Sequence, residues 1–424
     1  MLDLPFLRQH ADEAKKRLAK RPGYDTSVID ELLAADDERR QIQTQLDALL
    51  SEQNILSKEI GKLYGQGKKE EADAIKEKSL ELKAQTGELQ KLHDEASDSI
   101  RSMLLLIPNL PQLRVATGKS AEDNVTVKEG GPRHQLYVGA RPHWELATSL
   151  GIIDFETGNK ITGSGFPLYV GKGARLQRAL IAWFLDKATA QGFTEYMPPL
   201  MVNEDSGYGT GQLPDKEGQM YHVTADNLYL VPTAEVPLTN IYRDTIVKEE
   251  DLPIKMTAYT PCFRREAGSY GKDVRGLNRL HQFDKVEIVQ IEHPDRSNAT
   301  LDSMVAYVES LVVELGLQYR ILQLCSGDTS FASSITYDFE VFAAAQEKWL
   351  EVSSVSNFES FQANRMKCRY KSAETGKNHL VHTLNGSALA LPRIMAAIME
   401  NYQTEKGIVV PDVLRPFCGF HIID

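Results

Sequence analysis

"FRREAGSYGKDVRGLNRLHQFDKVEIVQ", residues 263–290, places two adjacent arginines before a polar, glycine-rich stretch and then settles into a strand-like run. Arg264, Arg265, Arg275 and Arg279 crowd this one segment of a chain whose net charge is −11. Their mutual repulsion calls for compensation, and an anionic ligand would supply it. In an extended chain residues two apart share a face. Arg264 and Glu266 are therefore expected on one side, with Phe263 and Arg265 on the other. Phe283 and Glu287 share a face of the returning run, and 267–278 has the length and polarity of a hairpin loop. Such a patch offers a guanidinium for phosphate oxygens, a ring to stack on a base, and carboxylates for an amine or a hydroxyl. These parts suit a nucleotide together with a small amine-bearing substrate. A surface hairpin laced with salt bridges would use the same residues.

The rest of the chain narrows the choice. Its 424 residues suggest two or three domains, and 42% hydrophobic with 25% charged residues is ordinary for a soluble globular protein. No apolar run reaches the roughly 18 residues of a membrane span, and the first residues lack the basic start and apolar core of a secretory signal. Cys262, Cys325, Cys368 and Cys418 are scattered without a CxxC pair. That argues against zinc and against a disulfide framework, and fits a reducing cytoplasm. The acidic balance excludes a protein coated in DNA-binding charge, although local patches decide nucleic-acid contact. GxxxxGK[ST] is absent, which excludes a P-loop. "GYGTGQ" and "VGKGAR" lack the strand–helix setting of a dinucleotide fold, and the HRD and DFG landmarks of a kinase are missing.

Upstream, Val28, Leu32, Ala35, Arg39, Ile42, Leu46, Leu49, Gln53, Leu56, Ile60 and Leu63 alternate steps of four and three. This is a heptad seam, and its helix should run about 54 Å at 1.5 Å per residue. "YGQGKKEE" breaks it. A weaker seam follows through Ile75, Ser79, Leu82, Thr86, Leu89, His93, Ala96, Ile100 and Met103. So short a break forces the two helices antiparallel, as a projecting arm. A coiled coil of this kind serves as a dimerisation strut or spacer. Lys58, Lys62, Lys68 and Lys69 near its turn also make a candidate phosphate contact.

"LLLIPNLPQLRVATGKSAEDN", with two prolines, marks the boundary near residue 110. Beyond it "ARLQRALIAWFLDKATAQ" and "LPRIMAAIMENYQ" read as helices. "FTEYMPPLMV" reads as extended, and "LYLVPTAEVPL", "QFDKVEIVQ" and "KWLEVSSVSNF" read as strands. The irregular order predicts an α+β domain on a mainly antiparallel sheet. His281 is expected to be a satisfied strand residue, and the cysteines packing residues.

"GFTEYMPPLMV", "FRREAGSYGKDVRGLNRLHQF" and "NGSALALPRIMAAIMENYQ" resemble, in order, the three signature motifs of class II aminoacyl-tRNA synthetases. With "TAEVPLTN", "HQFDKVE", "EVSSVSNFESFQANRM" and "HTLNGSALA" behind a two-helix arm, the whole chain resembles the bacterial seryl-tRNA synthetase family. The resemblance implies an N-terminal tRNA-binding domain over 1–110 and a catalytic domain over 111–424. It further implies a homodimer through motif 1, Gly192 to Pro199, on a sheet of six to seven strands. The implied substrates are L-serine, ATP with Mg²⁺, and tRNA(Ser), with tRNA(Sec) as a further candidate, bound across subunits.

By position, Arg264, Arg265, Glu266, Arg279, Phe283, Glu351, Val352, Ser353, Ser354 and Arg393 fall to ATP. Arg264 meets the α-phosphate, Glu266 the adenine edge and Phe283 the base. Arg264, Glu266 and Arg393 are the implied catalytic set, and Glu351 and Ser354 the metal ligands. Thr233, Ala234, Glu235, Arg264, Glu287, Asn385 and Ser387 form the implied serine site. Thr233 and Glu235 are expected on one strand face. Motif 3 departs from the family's frequent NGSGLAVGR at Ala388 and Pro392, and Arg265 stands where serine is common. Pro392 is expected to bar helical backbone at Leu391. A paralogue loading a carrier protein would lack the arm, and a non-catalytic regulatory homologue would break Arg264, Glu287, Glu351 or Arg393.

Overall fold

The computed structural model describes residues 1–215, 217–266 and 275–424. The chain forms two compact units, one of residues 2–19 and 23–108, the other of Met1, 20–22 and 109–424.

In the first unit the heptad seam forms α1 (Ser27–Gly65) and α2 (Lys69–Leu106). Gly67, at φ 76°, turns the chain between them. Tyr64 bonds Asp73 at 2.5 Å, Glu52 pairs with Lys78 at 2.9 Å, and Arg39 meets His93 at 3.4 Å. As one partner recedes from the turn, so does the other, and the pair is antiparallel. Leu32, Leu46, Leu82 and Ile100 of the predicted seam are buried, while the positions between them are largely exposed. Each helix spans about 58 Å at 1.5 Å per residue. Gly87 interrupts neither the helix nor the seam. A buried carboxylate, Asp36, sits within this unit and pairs with Arg39 Nη2 at 2.9 Å and with the Arg8 guanidinium.

The second unit is built on one sheet of eight strands. They are β1 (Val125–Gly130), β2 (Thr194–Glu195), β3 (Ile254–Phe263), β4 (Gln282–Glu292), β5 (Tyr319–Gln323), β6 (Ile335–Ala343), β7 (Lys348–Asn357) and β8 (His382–Ala390). Their order is β1-β5-β6-β7-β8-β4-β3-β2, antiparallel throughout except where the two-residue β2 runs parallel to β3. The count exceeds the six to seven strands implied by resemblance.

Helices α3 (His143–Ser149), α4 (Gly171–Ala190), α5 (Glu235–Asn240), α6 (Ser297–Glu314) and α7 (Leu391–Asn401) belong to the same unit. Leu180 and Phe184 of α4, Val308 of α6, and Ile394 and Ile398 of α7 share one core with Val286 and Ile288 of β4. Each such fully buried side chain contributes about 1.5–3 kcal/mol. Strand alternation sends the odd residues of β4 the other way. Val289 and Ile291 join a second core with Ala234, Leu238, Met256 and Ala258. Lys285 and Glu287 are therefore delivered to the side where α5 lies.

Two expectations are corrected. "LYLVPTAEVPL" is strand only over Leu228–Leu230, because the Thr233 hydroxyl accepts from the Glu235 amide at 3.2 Å and α5 starts there. Thr233 and Glu235 thus do not share a strand face. Helix α7 includes Leu391, with Pro392 in its first turn.

Candidate active site

Strands β3 and β4 pair with Gln282 opposite Phe263 and Glu287 opposite Ala258. Strand β3 stops at Phe263, and Glu266 takes φ +48°. The expected alternation of Arg264 and Glu266 along a strand therefore does not hold. The loop between them falls mostly at 267–274, outside the described residues. The cluster assembles all the same. The Arg264 guanidinium lies over the Phe283 ring, 5.2 Å from its centroid, and its Nε donates to the Pro232 carbonyl at 3.3 Å. Glu266 accepts from Arg279 Nη1 at 3.2 Å. Arg265 turns elsewhere, its guanidinium over Tyr221 at 5.7 Å and its amide bonded to the Gln219 carbonyl at 2.8 Å.

Behind Phe283, the same face of β4 carries Lys285 and Glu287. Lys285 Nζ pairs with Glu287 Oε2 at 2.6 Å, and Thr233 Oγ1 donates to that oxygen at 3.1 Å. Register sets Glu287 opposite Ser387 of β8. A second carboxylate stands close: Glu235, at the start of α5, accepts from Gln362 Nε2 at 2.7 Å. The Asn385 amide donates to Glu235 Oε2 at 2.8 Å and to Glu287 Oε1 at 3.4 Å, so it bridges the two acids. Thr233, Glu235, Glu287 and Ser387 are all buried. Burial, then the charge of Glu287, pushes the Glu235 carboxyl up to about 7. Asn385 Oδ1 is buried with no partner among the described residues. Two acids, one lysine and an unused acceptor leave this buried cluster suited to a small cation that also carries hydrogen-bonding groups.

A third group of residues comes from β6 and β7. Asp338 faces Ser354 across the ladder and accepts its hydroxyl, while Glu340 faces Glu351. Burial and the charge of Glu351 raise the Asp338 carboxyl well above its ordinary range, and its Oδ1 is buried without a partner among the described residues. Ser353 donates to the Ser387 carbonyl at 2.6 Å, which ties β7 to β8. Val352 is buried in the core. Arg393, in the first turn of α7, donates to the Glu351 carbonyl at 2.7 Å and to the Asn278 carbonyl at 3.2 Å.

The structure thus brings together Arg264 with Phe283, Glu266 with Arg279, Thr233, Glu235, Glu287 and Asn385 in one buried cluster, and Arg393 with Glu351. Arg265 stays apart from them. Sequence reasoning missed Lys285, which the period-two face of β4 already pointed to. It also missed Gln362 and Asp338, for which no local signal exists. His281 precedes β4 rather than lying in it, yet it is satisfied: its amide and carbonyl bond Gly165 and Arg264, and its ring bonds the Tyr221 hydroxyl at 2.9 Å. The four cysteines are free and buried. Lys58, Lys62, Lys68 and Lys69 are exposed near the turn of the α1–α2 hairpin.

Comparison with known proteins follows the same division. The seryl-tRNA synthetase N-terminal domain profile matches residues 1–111, and the tRNA synthetase class II core domain profile (G, H, P, S and T) matches 221–402. A serine–tRNA ligase of Salinibacter ruber is 48% identical over 421 residues, 99% of this chain and 98% of its own. That of Akkermansia muciniphila is 46% identical over the same coverage. Among solved structures, seryl-tRNA synthetase from Pyrococcus horikoshii, complexed with ATP, superposes with a TM-score of 0.91 at 33% identity, covering 100% of this chain and 99% of that one. The Naegleria fowleri cytoplasmic enzyme, in complex with AMP, shares the fold at a TM-score of 0.87 and 24% identity, over 100% of this chain and 99% of its own.

Proposed function

This chain belongs to the seryl-tRNA synthetase family, and we propose that the pocket between Glu235 and Glu287 holds L-serine while Arg264 and Phe283 hold ATP beside it. The activity is the ligation of serine to tRNA, in two steps. The serine carboxylate attacks the α-phosphorus of ATP to give seryl-adenylate and pyrophosphate. The 3′-terminal ribose hydroxyl of the tRNA then attacks the seryl carbonyl and AMP leaves. No side-chain nucleophile is required, so catalysis is positioning and charge neutralisation.

The observation that carries this reading is the buried carboxylate pair bridged by Asn385, next to the Arg264–Phe283 stack. The serine ammonium enters between Glu235 and Glu287 and relieves their repulsion, while Asn385 Oδ1 and Ser387 are placed for the remaining polar groups. Alanine would leave those buried groups unpaired, a difference that discriminates by roughly 10⁴ or more. Arg264 exchanges its contact with Phe283 for the α-phosphate, and the ring passes to the adenine. Arg279, held by Glu266, and Arg393, held by the Asn278 and Glu351 carbonyls, present guanidinium groups to the triphosphate.

Glu351, Ser354 and Asp338 form a hard-oxygen donor set with an unused, proton-hungry carboxylate oxygen, which fits Mg²⁺. When bound, Mg²⁺ supplies charge neutralisation along the phosphates. Asp338 orients the Ser354 hydroxyl by accepting its hydrogen bond.

A homodimer is part of the proposal. Met197 is 96% exposed, with Leu200 and Met201 also exposed around Pro198 and Pro199, beside the short edge strand β2. Such an apolar patch marks a protein interface. The exposed lysines of the hairpin then contact tRNA phosphates, across the dimer. No helix among the described residues is long and apolar enough to cross a membrane, and four free thiols suit a cytoplasmic setting.

The test is serine-dependent ATP–pyrophosphate exchange, followed by charging of tRNA(Ser) and tRNA(Sec). Exchange and charging together are expected. Exchange alone would favour loading of a carrier protein, and no exchange would favour a regulatory homologue. Relatives that match over nearly their whole length are serine–tRNA ligases and support neither alternative.

A further inference from the structure

Gln362, within "NFESFQANRM", belongs to the short helix Phe361–Met366 and is buried beside Glu235. Its amide is engaged on every side. One Nε2 hydrogen goes to Glu235 Oε1 at 2.7 Å and the other to the Thr210 carbonyl at 3.1 Å. The amide oxygen accepts from Thr383 Oγ1 at 2.7 Å. Thr210 and Thr383 are buried as well.

These three contacts permit one orientation. Turned over, the amide would set its oxygen against the Glu235 carboxylate and the Thr210 carbonyl, both acceptors, and buried groups would be left unpaired. The Thr383 hydroxyl therefore aims the Gln362 donor at Glu235. Thr383 stands two residues before Asn385 on β8, on the same strand face. One strand thus fixes both oxygens of Glu235: Oε2 directly through Asn385, at 2.8 Å, and Oε1 through Thr383 and Gln362. The nearby cations are committed elsewhere. Lys285 Nζ pairs with Glu287 Oε2, and the Arg264 guanidinium lies over Phe283. Among the described residues, the hydrogen bonds to the Glu235 carboxylate come from two neutral amides.

We propose that Gln362, aimed by Thr383, is a positioning residue of the amino-acid site and fixes the Glu235 carboxylate for the substrate amine. The inference rests on the reading of Glu235 and Glu287 as the serine site. A hydrogen bond donated to a carboxylate favours its ionised form, and an amine needs that form. Burial, then the charge of Glu287, lifts the Glu235 carboxyl to about 7; the Gln362 donor opposes this, and Lys285 and Arg264 oppose it less. Those are the charged groups that act on Glu235 from β4 and from the run after β3. Arg365, on the helix of Gln362, turns away and donates to the Tyr208 and Leu213 carbonyls. From the helix Glu204–Thr210, the group that meets Gln362 is the neutral Thr210 carbonyl. A glutamine that served packing alone would leave the protonation of Glu235 to its other neighbours.

The experiment measures the serine and ATP KM in ATP–pyrophosphate exchange across neutral and mildly alkaline pH, for full-length wild type, Gln362→Met, Thr383→Val and Thr383→Ser. Methionine keeps the length of the side chain without the amide, and valine keeps the shape of Thr383 without the hydroxyl. In the wild type the serine KM should inflect near pH 7. Gln362→Met should move that inflection up by roughly one to two pH units, the size of a hydrogen bond to a charged group. Its serine KM should then rise about 5- to 50-fold at pH 7 and return to within about twofold of wild type at pH 9, with the ATP KM unchanged. Thr383→Val should shift the inflection the same way by less, and Thr383→Ser should restore the wild-type profile. An inflection left in place in Gln362→Met, or a serine KM raised equally at both ends of the pH range, would overturn the proposal. Should Gln362→Met fail to fold, an unmoved inflection in Thr383→Val would overturn it. A wild-type serine KM without any inflection would instead sink the reading of Glu235 as the partner of the amine.

Discussion

Buried acids occur in both units of this protein, and they are treated differently. In the hairpin unit Asp36 is enclosed by Arg8 and Arg39, two cations for one carboxylate. In the catalytic unit Glu235 and Glu287 share Lys285 and the amides of Asn385 and Gln362, and Glu235 is held near pH 7. The first arrangement is closed and serves structure. On the proposed reading the second lacks a positive charge that the serine ammonium would bring, which would make it prefer an amine over water. Charge balance within the protein separates a structural buried acid from a substrate-binding one.

The largest effect that should separate the two is at Glu287. Replacing it with alanine leaves Lys285 buried without its partner and removes half of the ammonium site. Loss of a buried charge partner costs about 3–5 kcal/mol, so kcat/KM for serine in exchange should fall at least ~10²-fold. The ATP requirement should change far less. Equal effects on serine and ATP would show that the pocket is not where the amine binds.

Next in size is removal of residues 28–103. Charging should fall by about two orders of magnitude, while adenylate formation stays near the wild-type rate. Normal charging would refute a tRNA role for the hairpin. Within it, alanine at Lys58, Lys62, Lys68 and Lys69 should flatten the salt dependence of charging, by up to about 0.9 in slope for each phosphate no longer neutralised.

The pH response of serine binding follows from Glu235. Its carboxyl keeps a proton up to about 7 in the fold, against an ordinary value of 4.5. Serine ammonium requires the ionised form, so the serine KM should rise by up to tenfold per pH unit below 7, and fall to a plateau above it. The sign for stability is opposite. As pH rises from 4.5 to 7 the unfolded chain ionises first, so this group progressively destabilises the fold. Glu235→Gln should remove both trends; a serine KM that keeps its pH dependence in that variant would exclude Glu235 as the source.

The smallest change is expected at the closed site. Asp36→Asn should lower stability by about 1–3 kcal/mol, read as a shift in denaturation midpoint, and leave exchange untouched. Loss of exchange would mean the two regions are not separable in this way.

The two regions also differ in how far their sequences announce them. The hairpin is readable because its determinants are local: steps of three and four from Val28 to Leu63 place every seam residue, and Gly67 makes the turn. In the catalytic unit, the pairing of Arg264 with Phe283 and the shared strand face of Phe283 and Glu287 are readable, because a motif and a period carry them. Alternation misleads when extended past Phe263, because Glu266 leaves the strand at positive φ. Thr233 and Glu235 meet through a hydroxyl-capped turn rather than a strand face. Gln362 reaches Glu235 from a short helix at Phe361–Met366, and Asp338 meets Ser354 across the β6–β7 ladder, contacts that no local pattern displays.

On this reading Arg264, Phe283 and Glu287 line one continuous hollow for serine joined to AMP, and a crystal structure with a non-hydrolysable seryl-adenylate analogue is the decisive measurement. The expected result is adenine against the Phe283 ring, the Arg264 guanidinium moved onto the phosphate mimic, and the seryl amine between Glu287 and Glu235. An analogue bound with its amine remote from both carboxylates, or with Arg264 still over Phe283, would overturn it.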